Sequence, residues 1–418
     1  MKLLRLSAIA LAGLALGCAT DPVGPPSRIT ALPRALTTQE QRLIEADNRF
    51  AIKLLKQVTA DTRASVENLF VSPLSVAMAL GMTYNGAATT TEDAMRATLE
   101  LEGMTVAEVN ESYRSLIKLL RELDPRVRFQ IANSIWYRLG LTAEQPFIDA
   151  NRTYFDARVE AIDFLSPAAA PTINNWVKQQ TQGLILEIVP DPIPEGAVMY
   201  LINAIYFRGD GTQQFDPERT QPRPFRLPDG SSVNVPTMTH GGEADIRLTS
   251  RPTATIVDMP YGGEAFSMTI VLPSDSIGVD DLVTGLTAEQ WNDWTASLQP
   301  SENEVFLPKF KLSNDLTLNP SLKALGMSIA YDCVPPVMAD FTRMFAGGGV
   351  CITNVKHKTY VDVNEEGTEA AAVTSVEMGV TSVGPPAIYI NRPFIFALRE
   401  NLSGTILFMG VIRNPAGE

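Results

Sequence analysis

The chain has 418 residues, 45% of them hydrophobic and 19% charged, a globular composition that excludes a disordered chain or a coiled coil. Its 34 basic against 47 acidic residues leave a net charge of −13, which argues against a basic surface for nucleic acid or anionic membrane. Three cysteines, Cys18, Cys333 and Cys351, are too few for a disulfide scaffold and fit no zinc spacing; two histidines, His240 and His357, exclude a His-rich metal site.

Lys2 and Arg5 precede an apolar run from Leu6 to Leu16, so residues 1–17 read as a signal peptide. The run is too short to span a bilayer, and no later stretch reaches about 18 uninterrupted apolar residues. Its end, Ala15-Leu16-Gly17-Cys18, resembles a bacterial lipobox, which usually has leucine where Ala15 stands. The resemblance implies a lipid on Cys18, with residues 18–37 as lipidated N-terminus and linker. Asp21 to Ser27, rich in proline, reads as a tether. The expected location is the bacterial outer membrane or cell surface; the alternative is a secreted product of ordinary signal peptidase.

From Thr38 to Val58, Leu43, Ile44, Phe50, Ala51, Leu54, Leu55 and Val58 keep helical spacing behind Thr38 as N-cap. Ser72-Pro73 opens a second helix, with a capping serine and proline in the first turn. Thr105 and Glu108 form a capping box before another helix. Alternation of Phe129, Ile131, Ile135 and Tyr137 predicts a strand over 127–139, and a helix follows over 173–182. Val198 to Phe207, apolar on both faces, predicts a strand buried centrally in a sheet. Strands dominate after it: 255–259 and 266–272 form a hairpin around Gly262-Gly263, and 387–399 with 404–413 form another around Asn401 and Gly404. Helices early and strands late, without βαβ alternation, give an α+β class with mainly antiparallel sheets.

The segment from Val363 to Val376 is patterned as a strand and punctuated as a loop. Thr368, Ala370, Ala372, Thr374, Val376, Met378 and Val380 keep one phase small or apolar, while Glu369 and Glu377 fall on the other. Gly379, Gly384 and Pro385-Pro386 then close it off. This segment resembles the hinge of the reactive-centre loop of serpins. Further serpin-like motifs follow in the family's order: Asn68 to Ser75, Ile173 to Gly183, Asn203 to Gly209, Leu307-Pro308-Lys309-Phe310, and Asn391-Arg392-Pro393-Phe394 to Pro415. One domain over 38–418 is the simplest reading.

The resemblance implies three β-sheets with about nine helices and an exposed reactive-centre loop that baits a serine protease. The acyl-enzyme is trapped when the cut loop enters the main sheet as a new strand. It implies a monomeric inhibitor, not an enzyme, without cofactor or metal, whose partner is the target protease in a covalent acyl complex. Glu365, Gly367, Thr368, Ala370, Ala371 and Ala372 correspond to the hinge; Ser72, Ser75, Asn203 and His357 correspond to the shutter, where strands part. Gly211 stands where the family usually has tryptophan. The scissile bond falls at Thr381-Ser382 counted from Glu365, or Ser382-Val383 counted back from Asn391. No Lys, Arg, Phe, Tyr or Trp lies between Thr374 and Pro386, which favours elastase-like or subtilisin-like targets over trypsin. Papain-like cysteine proteases are the cross-class alternative, and a non-inhibitory binding module is the other. Ser115-Leu116-Ile117-Lys118 with Lys358-Thr359-Tyr360 loosely echoes penicillin-recognising enzymes but lacks a Ser-Asp-Asn element. Cys333 and Cys351 are left open, as a disulfide or as free thiols.

Overall fold

The computed structural model describes residues 28–368 and 386–417, among which lie nine α-helices and sixteen strands. Helix α1 (Thr38–Thr62) is capped by Thr37, one residue earlier than expected. The Thr37 hydroxyl accepts from the Glu40 N–H at 3.1 Å, and the Glu40 carboxylate accepts from the Thr37 N–H at 2.7 Å. Strand β1 (Leu69–Val71) leads into α2 (Pro73–Tyr84), capped by Ser72 as expected and buried at every position but Ala79. Helices α3 (Thr89–Thr98) and α4 (Val106–Glu122) follow, the latter behind the expected Thr105 and Glu108 box.

The next elements are β2 (Val127–Arg138), α5 (Gln145–Phe155), β3 (Arg158–Ile162), α6 (Ala169–Gln180) and β4 (Met199–Asp210). Strands β2 and β4 pair antiparallel from Val127↔Gly209 to Tyr137↔Met199. Strand β3 runs parallel to β2, so β2, α5 and β3 form a βαβ unit absent from the sequence reading. Its signal is masked because β3 has only five residues, none fully buried.

Strands β5 (Gln221–Arg226), β6 (Ser232–Met238), β7 (Ala244–Ser250), β8 (Ala254–Tyr261) and β9 (Phe266–Pro273) precede α7 (Val279–Gly285), α8 (Ala288–Ala296) and β10 (Gln299–Pro308). The expected β8/β9 hairpin is present. Then come β11 (Phe310–Thr317), α9 (Asn319–Leu322), β12 (Lys356–Val363), β13 (Gly367–Thr368), β14 (Ala387–Tyr389), β15 (Phe394–Glu400) and β16 (Ile406–Ile412). The single strand expected over 387–399 is thus two strands in different sheets. Pro393, which has no N–H to donate, stands at the break. Strand β14 pairs parallel with β10, whereas β15 lies between β16 and β9.

Three sheets result. The main sheet is in two parts, β13-β4-β2-β3 and β11-β12. The other two share β10, whose first half pairs with β7 and whose second half pairs with β6 and β14. One large core fills the space between sheets and helices; a smaller one, around Trp136, Phe164 and Trp176, seats α6 on β2 and β4. Cys333 and Cys351 are joined, with Cα atoms 5.3 Å apart.

Candidate functional site

Between β4 and β12 the main sheet is open. No backbone pairing joins the two strands among the described residues, and a cavity of about 550 Å³ runs between them. Its walls include Leu201, Asn203 and Ile205 of β4 and His357, Thr359 and Val361 of β12, with Ser72, the cap of α2, and Ser75 of α2 beneath. Strand β4 is therefore not buried throughout as expected: Met199 to Leu201 are half-buried where they border the cavity. Each strand presents an edge of backbone donors and acceptors to this space, the condition under which a further strand can add.

At the upper end the gap is bridged. Strand β12 turns through Glu365 and Glu366: Asn364 and Gly367 exchange both backbone hydrogen bonds, at 3.0 and 3.1 Å. The chain returns as β13, antiparallel to β4 with Gly367 opposite Asp210 and Thr368 opposite Gly209. Gly367 has φ 122°, and a Cβ there would lie 2.4 Å from the Gly211 nitrogen, so both conformation and space require glycine. Glu365 is clamped by the Lys309 ammonium at 2.7 Å and the Thr220 hydroxyl at 2.9 Å. Burial alone would raise the Glu365 carboxyl, yet these donors hold it below its ordinary value. Its backbone carbonyl also accepts from Phe215 N–H, and that of Glu366 from Gly211 N–H, both at 2.9 Å. Gly211 itself has no room for a side chain, because a Cβ would meet the Gln213 carbonyl at 2.8 Å. The aromatic bulk of this corner comes instead from Phe215 and His240, whose rings lie 4.2 Å apart.

Lower in the gap, the Ser72 N–H donates to His357 Nε2 at 2.9 Å and its hydroxyl donates to the Leu407 carbonyl at 2.8 Å. Ser75 N–H donates to the Ser72 hydroxyl at 3.3 Å, and Ser75 Oγ donates to the Asn203 carbonyl at 3.4 Å. Burial pushes the His357 imidazole down to about 4, so it is neutral at pH 7, with Nε2 the acceptor. Asn203 donates to Asn133 Oδ1 at 2.7 Å, while its own Oδ1 is buried without a partner. The four sequence-named residues are thus brought together, with α2 linking the two walls: Ser72 reaches β12 and Ser75 reaches β4.

Ala370, Ala371, Ala372, Thr381, Ser382, Val383 and Cys18 lie outside the described residues, as does the side chain of Thr368. Sequence reasoning did not single out Lys309, Thr220 or Asn133. Lys309 stood inside a quoted motif, but nothing local marks it as the partner of a carboxylate 56 residues away. The enzyme-like motifs are not assembled: Ser115 Oγ accepts from Arg34 at 2.6 Å, while Lys358 pairs with Asp315 at 3.1 Å. No cluster of potential metal ligands occurs among the described residues.

An α+β fold of three sheets and nine helices, whose main sheet is open beside a hinged strand, is the serpin fold. The family model "Serpin (serine protease inhibitor)" matches residues 45–415, and the chain belongs to that family. The leukocyte elastase inhibitor of Sus scrofa is 32% identical over 385 residues, covering 90% of this chain and 100% of that protein. Among solved structures, the thermophilic serpin tengpin in its native state matches with a TM-score of 0.80 at 28% identity, over 91% of this chain and 95% of that one. Human thyroxine-binding globulin, complexed with thyroxine, matches with a TM-score of 0.79 at 26% identity, over 91% of this chain and 100% of that one. Serpins are mostly protease inhibitors rather than catalysts, and the family includes both inhibitory and non-inhibitory members.

Proposed function

We propose that this chain is a suicide-substrate inhibitor of elastase-like or subtilisin-like serine proteases. The protease cleaves at Thr381-Ser382, with Ser382-Val383 the alternative, and is held as an acyl-enzyme while the cut loop fills the gap between β4 and β12. The observation that carries the reading is the pairing of Gly367 and Thr368 with β4 above that gap. Continued in register after insertion, the pairing would put Thr374 opposite Asn203 and Met378 opposite Met199. Continued from the Asn364 to Gly367 hairpin, it would put Thr374 opposite His357 as well. Both edges thus agree on one residue, and the inward phase of the loop, Thr368 to Val380 in alternate steps, is free of charge. A charge there would have to enter the sheet unpaired.

Small residues on both sides of the scissile bond suit shallow specificity pockets and leave a trypsin-like carboxylate without its cation. We also propose that Cys18 carries the lipid that anchors the protein to a bacterial outer membrane or cell surface. The second reading, a non-inhibitory binding module, is favoured by the likeness to thyroxine-binding globulin.

The test is incubation with elastase, subtilisin, trypsin and papain, followed by denaturing electrophoresis and mass spectrometry of the released C-terminal fragment. Covalent complexes with elastase or subtilisin, and a fragment starting at Ser382 or Val383, are expected. Simple cleavage without complex by every protease would leave the binding-module reading standing.

A further inference from the structure

We propose that the disulfide between Cys333 and Cys351 is a thiol-exchange site that arms the lower end of the gap. Closed, it fixes the edge of β12 on which a further strand pairs; opened by a dithiol, it lets that edge fray. The consequence for trapping rests on the inhibitory reading above, whereas the exchange site and its effect on β12 do not.

Strand β12 starts at Lys356, at the lower end of the gap, and the chain that feeds it, residues 349–355, has no regular structure and lines the cavity. Upstream stands Gly347-Gly348-Gly349, with Gly348 and Gly349 at φ 61° and 70°, a run without side chains to hold its shape. The Gly348 N–H donates to the Phe345 carbonyl at 2.8 Å; the next backbone hydrogen bond along the chain, among the described residues, is Ile352 N–H to the Ala330 carbonyl at 2.9 Å. Between them Cys351 is tied covalently to Cys333, 18 positions earlier and just past the short helical turn Ser328–Tyr331. Further on, Asn319 of α9 accepts the Val355 N–H at 2.8 Å and donates to the Thr353 carbonyl at 2.9 Å, while the Leu318 N–H donates to the Val355 carbonyl at 2.9 Å. The entrance to β12 is therefore held at two places, by Leu318 and Asn319 at its end and by the disulfide with one neighbouring hydrogen bond at its start.

The two sulfurs differ in access. Cys333 and residues 334–338 after it are exposed, whereas Cys351 is half-buried against the core. The Ala339 N–H closes the base of that loop onto the Asp332 carbonyl at 2.8 Å, which keeps Cys333 turned to solvent. Exposed disulfides are the exchangeable ones. A thiolate of the dithiol attacks Cys333 Sγ, a mixed disulfide forms there, and Cys351 leaves as a thiolate that takes a proton from water. The second thiol loses its proton and attacks the reagent's own sulfur in the mixed disulfide, so Cys333 leaves in turn. The dithiol is oxidised to a disulfide, and two electrons and two protons pass to the cysteine pair. Once the bond is open, residues 349–351 regain the freedom it had removed, and Lys356 and His357 lose their support from that side. A strand entering the gap would have to order this edge before pairing with it, which slows the last rungs and lets more cleaved molecules release the protease.

The test compares oxidised wild type, wild type reduced with dithiothreitol after folding, and the Cys333→Ser/Cys351→Ser variant, with peptide mapping after alkylation to locate the freed thiols. Amide hydrogen exchange at residues 349–359 should be about tenfold faster in the reduced protein and in the variant, with α1 and the β8/β9 hairpin unchanged. With elastase, the ratio of covalent complex to cleaved inhibitor should fall about threefold on reduction, and dithiothreitol should not move the variant's ratio. The reduced wild type decides even if the variant does not fold. Unchanged exchange at residues 349–359, or a disulfide that resists dithiothreitol in the folded protein, would overturn the proposal. Exchange accelerated equally in α1 would overturn it too, by marking the bond as a general staple. Faster local exchange with an unchanged ratio would overturn the arming of the gap. An oxidised wild type that forms no complex would overturn the inhibitory reading, and the exchange data would still decide the site.

Discussion

Asp47 on α1 lies inside the protein with Oδ2 unpartnered, and Oδ1 accepts only the Tyr113 hydroxyl, at 2.8 Å. Burial, against that one hydrogen bond, raises its carboxyl to about 7. Between about pH 4 and 7 the folded state therefore holds a proton that the unfolded chain has released, and stability falls as pH rises, by up to about 4 kcal/mol. His357 acts in the opposite sense: with its imidazole held down to about 4, it withdraws stability as pH falls from about 6.5 to 4. The two slopes offset each other. The Asp47→Asn variant keeps an acceptor for Tyr113 and does not titrate. Its melting temperature relative to wild type should rise from pH 4.5 to about pH 7 and then level off, and a constant difference throughout would show that Asp47 is ionised throughout.

At the scale of elements, β13 is two residues long and β12 has one neighbour, β11, along its length, so the main sheet lacks a strand among the described residues. Cutting the loop between Thr374 and Val383 should raise the melting temperature sharply, because the inward face of Ala370, Ala372 and Val376 and a full set of strand hydrogen bonds become buried. Unchanged or lower melting after the cut would favour the binding module. Much of this was legible beforehand. Ser72 with Pro73, Thr105 with Glu108, and Gly262-Gly263 announced their elements through local chemistry, and capping and turns are decided within a few residues. The split of 387–399, the short parallel β3 and the clamp of Lys309 on Glu365 were not legible. Each depends on a partner remote in sequence, Glu304 to Phe306 for β14, Ser134 to Arg138 for β3 and Glu365 for Lys309. The hinge residues were named from resemblance, but the reason Gly367 is glycine, its approach to Gly209 and Gly211, emerged only in three dimensions.

For the molecule as a whole, the described chain begins at the upper end of the main sheet. The Ile29 N–H donates to the Gly263 carbonyl at 2.8 Å and Arg28 pairs with Glu264 at 2.7 Å, on the hairpin next to the start of β2. Ten residue steps separate Arg28 from Cys18, a reach of at most about 36 Å. If Cys18 carries lipid, wild-type protein should fractionate with membranes and Cys18→Ser should release it. Wholly soluble wild type with an unmodified N-terminus would show the lipobox reading to be wrong.

The loop is also secured twice at that upper end, by β13 on β4 and by β14 on β10. With both ends moored, an intact chain cannot thread a strand down the gap without tearing β14 from its sheet. On the proposed reading, the pairing of β13 with β4 is the first rung of the new strand, and insertion after cleavage would extend a pairing already formed. On that reading the covalent continuity of the loop would be the lock, and a protease that cut it would remove a topological restraint. The barrier that preserves the open sheet would then reside in one peptide bond, and the attacking enzyme would be what breaks it.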